Sequence, residues 1–188
     1  DVSAWDSMVT LCESFPDYVQ AITMVRQQWA FALNRRNAAG DREKAAKILN
    51  RILEQEGADP ETLGILGRVH KDRYKSLKSS NSIMAGAALD EAISAYTRGF
   101  ESDPRDYYPG VNAITLLVEK GDPDALKEAD RLVPLVSFAV ARRGGVRSSN
   151  YWDLATVLEL ACIGNDWKMA LLVLPKTLSA ANASWMAE

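Results

Sequence analysis

Histidine is almost missing. The 188-residue chain has one, His70. A single imidazole removes most metal-site and catalytic-triad readings. Cysteine is nearly as rare. Cys12 and Cys162 lie far apart, so they form neither a disulfide framework nor a zinc-ligand pattern, and a reducing, cytoplasmic setting fits. No apolar run reaches the ~18 residues of a membrane helix, and no signal peptide is visible. The chain begins at Asp1 rather than Met, as expected of a fragment or trimmed chain. Lys and Arg number 22 against 25 Asp and Glu, a net charge of −3, so general nucleic-acid binding has no support. Strand-like alternation is absent. The Gly64 and Gly67 pair follows no strand and lacks a third glycine, so it is no dinucleotide fingerprint. Carboxylates have no companion nucleophile or metal set. No catalysis, metal or cofactor is expected.

What is present is helical pattern. Hydrophobic residues make up 47% of the chain, enough for a sizeable core. The stretch from Trp29 to Ile52 reads as two helices joined at Ala39, Gly40 and Asp41. Trp29, Phe31, Ala32 and Leu33 supply the apolar residues of the first helix; Ala45, Ile48, Leu49 and Ile52 stripe the second. Gly40 tolerates the left-handed conformation that stops a helix, and Asp41 is expected to cap the next. With Trp29 as the fourth position of a ~34-residue unit, Gly40, Ala45, Leu49 and Ile52 fall on the packing positions of a tetratricopeptide repeat. One such unit leaves an open apolar face, so further units are expected.

They can be traced along the chain. Residues 1–16 form an N-terminal helical segment, with a helix over about Ala4 to Glu13. Residues 17–188 form the tetratricopeptide-like domain. Its first pair is a long helix over Tyr18 to Asn37 and a second over Arg42 to Gln55. The second unit has Leu63, Leu66, Gly67 and His70, then Ala92, Tyr96 and Gly99, with an insert near Ser76 to Gly86 read as a loop or an extended helix with a mobile tip. In it, Gly67 lets the partner helix approach closely. The third unit spans Tyr107 to Lys120 and Asp124 to Arg142. The fourth begins at Asn150, and Pro175 is expected to kink or shorten its second helix. At the chain end, around Trp185, another helix is expected to start, and an uncovered apolar face there would favour self-association. The fold class is therefore all-α, a right-handed array of three to four antiparallel helix pairs.

Candidate binding residues follow from that register. Groove-facing positions fall on Asn34, Asn37, Arg68, Lys71 and Asp72, with Arg35 and Arg36 beside them and Asn112 in the third unit. Asn, Arg and Lys together suit a carboxylate or phosphate through charge-assisted hydrogen bonds. The competing reading is that they cap helices and pair with Asp41, Asp59 and Asp72. Tyr107, Tyr108, Tyr151 and Trp152 stand at helix starts, either packing between repeats or forming a hot spot for a peptide or a stacking surface for a base. His70 and Cys162 are read as core residues, Cys162 buried and inert. Asp122, Asp124, Glu128 and Asp130 fit a helix N-terminus. The loop from Arg142 to Arg147 is either solvated or a contact for phosphate or an acidic partner. Function then divides into two readings. One is a groove that binds a protein or peptide. The other is a sensor in which Asn34, Asn37, Arg68 and Lys71 hold an anionic small ligand such as a nucleotide.

Four segments occur in order: AFALNRRNAAGDREKA, LGRVHKDRY, YYPGVNAITLLV and SSNYWDLA. Together they resemble the TRAFs-binding, or central regulatory, domain of the apoptosis signal-regulating MAP-kinase-kinase-kinases and its bacterial relatives. The resemblance runs from about Arg26 to Trp185. It implies a tetratricopeptide-like regulatory scaffold that works through protein contacts within a larger signalling or immune protein. His70 stands where that family commonly has Tyr, and the Ser76–Gly86 insert differs. No kinase domain or ATP-binding loop is present in the chain.

Overall fold

The computed structural model describes residues 4–181. These residues form ten α-helices, one short 3₁₀ turn and no strand. Two compact units divide the chain at Asp103 and Pro104.

Unit 1 holds α1 (Trp5–Ser14), α2 (Asp17–Gln20), α3 (Thr23–Arg36), α4 (Asp41–Glu56), α5 (Pro60–Leu77) and α6 (Ser82–Ser102). Helices α3 and α4 pair, α5 and α6 pair, and α3 and α4 both pack on α5, while α1 lies against α3. The α3–α4 core is Ala30, Ala32, Leu33, Ala45, Leu49 and Ile52, all fully buried. These include the small-against-large positions expected from the repeat spacing. Gly40 adopts φ 80° and α3 ends on Asn37 at φ 55°, so two left-handed residues turn the chain between the helices. Asp41 does not cap α4 as expected: Gly40 holds the cap position, with no side-chain bond to the helix start. Asp41 is the first residue of α4, and its buried carboxylate accepts the Ala38 N–H at 2.8 Å and two Arg36 donors at 2.8 and 2.7 Å.

The long helix expected from Tyr18 to Asn37 is broken at Ala21 and Ile22. The Gln20 side chain turns back to donate to the carbonyls of Phe15 at 2.9 Å and Glu13 at 3.2 Å, closing α1, and Ile22 is extended before α3. The Ser76–Gly86 insert is absorbed into longer helices, with a turn over 78–80 and an Asn81 cap whose side chain accepts the Met84 N–H at 3.0 Å.

Unit 2 holds α7 (Tyr107–Lys120), α8 (Pro123–Arg142), a 3₁₀ turn (Gly145–Arg147), α9 (Tyr151–Ile163) and α10 (Trp167–Ala180). Helices α7 and α8 pair, α9 and α10 pair, and α9 packs on both α7 and α8. Asp106, Asp122, Asn150 and Asp166 each cap a helix by accepting backbone N–H groups at its start. Pro175 does not end α10, which continues to Ala180. Pro175 and Leu171 are both exposed, so the carbonyl freed four residues earlier lies on the solvated side. Cys162 is exposed, not buried as its apolar helix suggested. The helix expected around Trp185 lies outside the described residues.

Candidate functional site

On the α3/α5 face of unit 1, a polar network replaces what the spacing gave as a row of separate side chains. Asn34 is 3% exposed, and its Nδ2 donates to Asp72 Oδ2 at 2.8 Å. The Asp72 carboxylate also takes the Arg68 Nε–H at 3.1 and 3.0 Å. Arg42 Nε lies 3.4 Å from Asn34 Oδ1, and its Nη1 donates to Ser76 Oγ at 3.0 Å. Asn34, Arg68 and Asp72 are thus brought together across two helices. Asn34 serves as an internal clamp on Asp72, and Arg68 is held at the surface with its side chain 39% exposed.

The other expected residues of this unit go elsewhere. Asn37 is the left-handed residue that closes α3, its N–H bonded to Leu33 O at 2.9 Å. The Arg35 guanidinium sits 5.5 Å over the Trp5 ring on α1. Lys71 is half-buried on α5, one turn beyond Arg68. Sequence reasoning missed Arg42, which joins the network from α4. It also missed that Arg68, Lys71, Lys75 and Lys78 recur at alternating spacings of three and four, the spacing of a single helix face. That regularity was the available signal. His70 is largely buried, its Nδ1 2.9 Å from Glu91 Oε2. Burial pulls its pKa below the usual imidazole value, against the opposing pull of Glu91, so it is neutral at pH 7.

In unit 2 the strongest polar cluster surrounds a residue that spacing did not single out. Asp153 is 2% exposed. It accepts the Tyr107 hydroxyl at 2.6 Å, the Ser148 hydroxyl at 2.7 Å and Arg143 Nε at 3.2 Å. Arg143 also stacks 5.6 Å over the Tyr107 ring. Burial alone would raise the Asp153 pKa, but the donors from Tyr107, Ser148 and Arg143 outweigh it and hold the carboxyl low. Burial, reinforced by Asp153, pushes the Tyr107 phenol up. Part of the Arg142–Arg147 loop is thereby fastened to α7 and α9. Tyr108 and Trp152 are about half exposed, and the Tyr151 and Trp152 rings meet edge-on at 5.0 Å. Asn112 bonds the Tyr108 carbonyl at 2.9 Å within its own helix. Among the described residues no cluster of three or more metal-capable side chains exists.

A paired-helix array with these repeat positions invites comparison with known proteins. The MAP3K TRAFs-binding domain family matches the chain over residues 1–188. The chain belongs to this family. Relatives of this MAP3K TRAFs-binding domain include mitogen-activated protein kinase kinase kinase 15 of Mus musculus, 28% identical over 88% of the chain. The kinase nsy-1 of Caenorhabditis elegans is 30% identical over 82% of it. Mitogen-activated protein kinase kinase kinase 5 of Homo sapiens is 26% identical over 98%. The matched regions are 13%, 11% and 14% of those relatives, so the chain corresponds to one part of much longer proteins. It is a helical-repeat domain of the protein-interaction kind.

Proposed function

We propose that this domain binds an acidic segment of a protein partner along the α3/α5 face of unit 1. The observation that carries the reading is the Arg68–Asp72–Asn34 network. A guanidinium held by a carboxylate that is itself clamped by a buried amide loses little freedom on binding. It stands at the head of a stripe with Lys71, Lys75 and Lys78, in a chain whose net charge is −3. Such a face recognises carboxylates by charge-assisted hydrogen bonds and raises the encounter rate with an acidic chain. On unit 2, Tyr108, Asn112, Tyr151 and Trp152 are proposed as a separate peptide-contact surface, on which Tyr108 and Trp152 are exposed.

The family is described by the binding of TRAFs, and for this chain the proposal is a protein or peptide partner of acidic character. An anionic small ligand on the same cations is the second reading, and a nucleotide that displaces peptide would favour it. Nucleic acid is not proposed as a partner, given the net charge. Self-association remains tied to the segment near Trp185, outside the described residues. Two unpaired cysteines and the absence of a membrane-crossing helix among the described residues support the reading of a cytoplasmic setting. The test is fluorescence anisotropy of a labelled glutamate-rich peptide across a salt series. Saturable binding that weakens steeply with salt supports the proposal. No binding at low salt, or binding indifferent to salt, contradicts it.

A further inference from the structure

Unit 1 contains a second, unrelated set of groups. Helix α2, the first half of α3 and the second half of α4 border a cavity of about 540 Å³. Small-ligand sites span roughly 300–1,000 Å³ and combine apolar walls with a few convergent polar groups. Here Trp29 and Ile48 supply apolar surface, and Arg26, Arg51 and Gln55 supply polar atoms.

Two donors on side chains that line this cavity are unspent. Trp29 Nε1 and Arg26 Nε are buried and have no hydrogen-bond partner. The rest of the Arg26 guanidinium is committed, to Gln55 Oε1 at 2.7 Å, to Thr23 Oγ1 at 3.4 Å and to the Glu56 carboxylate. An indole N–H and a guanidinium N–H are both donors only, so neither can satisfy the other. Buried donors left unpaired are unfavourable, and a few in any native protein call for a specific explanation. Arg51, exposed on α4 and lining the same cavity, has no ion-pair partner among the described residues. The cavity's one carboxylate among the described lining residues, Asp17, is exposed to solvent.

We infer that this cavity is a binding site for a small oxyanion, a carboxylate or phosphate carried on a compact apolar body. The oxyanion accepts from Trp29 Nε1–H and Arg26 Nε–H and pairs with Arg51, and the apolar body lies against Trp29 and Ile48. The site shares no residue with the α3/α5 face proposed for the protein partner, so either can fail without the other.

The probes are benzoate and phenyl phosphate, titrated against the ¹⁵N-labelled protein with sodium chloride at matched ionic strength as the control. The readout is the Trp29 indole N–H resonance, assigned by its loss in Trp29→Phe or, should that variant not fold, by sequential assignment. The expected result is a saturable shift of that resonance, with the other indoles unmoved, weakened about tenfold in Arg51→Ala. Arg51 is exposed, so its removal leaves the fold in place. Whichever probe acts names the oxyanion. The inference is overturned if Trp29 does not respond, if sodium chloride shifts it equally, or if Arg51→Ala binds as tightly as the natural chain.

Discussion

Gly67 on α5 lies flat against the Tyr96 ring on α6, so close that a methyl group added to it would stand 2.7 Å from the ring carbons. Tyr96 is fully buried and has no room to retreat. Gly67→Ala is therefore expected to destabilise the domain by about 1–3 kcal/mol, despite the better helix propensity of Ala. Gly86, on α6, is the control. Nothing lies within 4 Å of its would-be methyl, and Gly86→Ala should stabilise by ~0.5–1 kcal/mol. Urea denaturation of both variants checks the pair, and a neutral Gly67→Ala would remove the close contact from the account.

Asp153 makes the stability of unit 2 sensitive to acid. Its native pKa lies below its unfolded value, so the contribution is present above about pH 4 and is lost as pH falls through the lower native value. Tyr107 behaves in the opposite direction. Its native pKa is raised, so its contribution is complete below about pH 10 and is lost as pH rises through the higher native value. Asp153→Asn should cost ~2 kcal/mol or more at neutral pH and flatten the acid limb of a melting-temperature profile. Tyr107→Phe should cost ~1–2 kcal/mol and flatten the alkaline limb. A variant profile parallel to the natural one on its own limb would contradict this assignment.

The two thiols should separate cleanly. Cys12 is 4% exposed, and burial, helped by the Glu13 charge, raises its pKa. Cys162 is exposed. A colorimetric disulfide reagent should titrate one thiol in the native protein and the second only in denaturant. Two fast thiols, or none, would misplace one of these helices.

Particular residues show what could be read in advance. The α3–α4 pair was legible because Ala45, Leu49 and Ile52 carry helix spacing and Gly40 a turn signal, all local features. The span of α7 was legible too, expected over about Tyr107 to Lys120 and found there. The break at Ile22 was not, because it is set by Gln20 reaching back to α1. Cys162 was misread because apolar residues surround it in sequence, so periodicity could not say which face of α9 turns outward. At the candidate site, register put Arg68, Lys71 and Asp72 on one helix, which is α5. That Asn34 is spent inside the protein on Asp72, thirty-eight residues away, depends on how α3 and α5 pack. The Tyr107–Asp153 bond, forty-six residues apart, was hidden for the same reason.

The most direct test of the binding account is anisotropy of the glutamate-rich peptide with an Arg68→Ala, Lys71→Ala variant beside the natural chain, both at matched folding stability. The account predicts at least about tenfold weaker binding in the variant and a shallower dependence on salt. Equal affinity and an equal salt slope in the two proteins would contradict it.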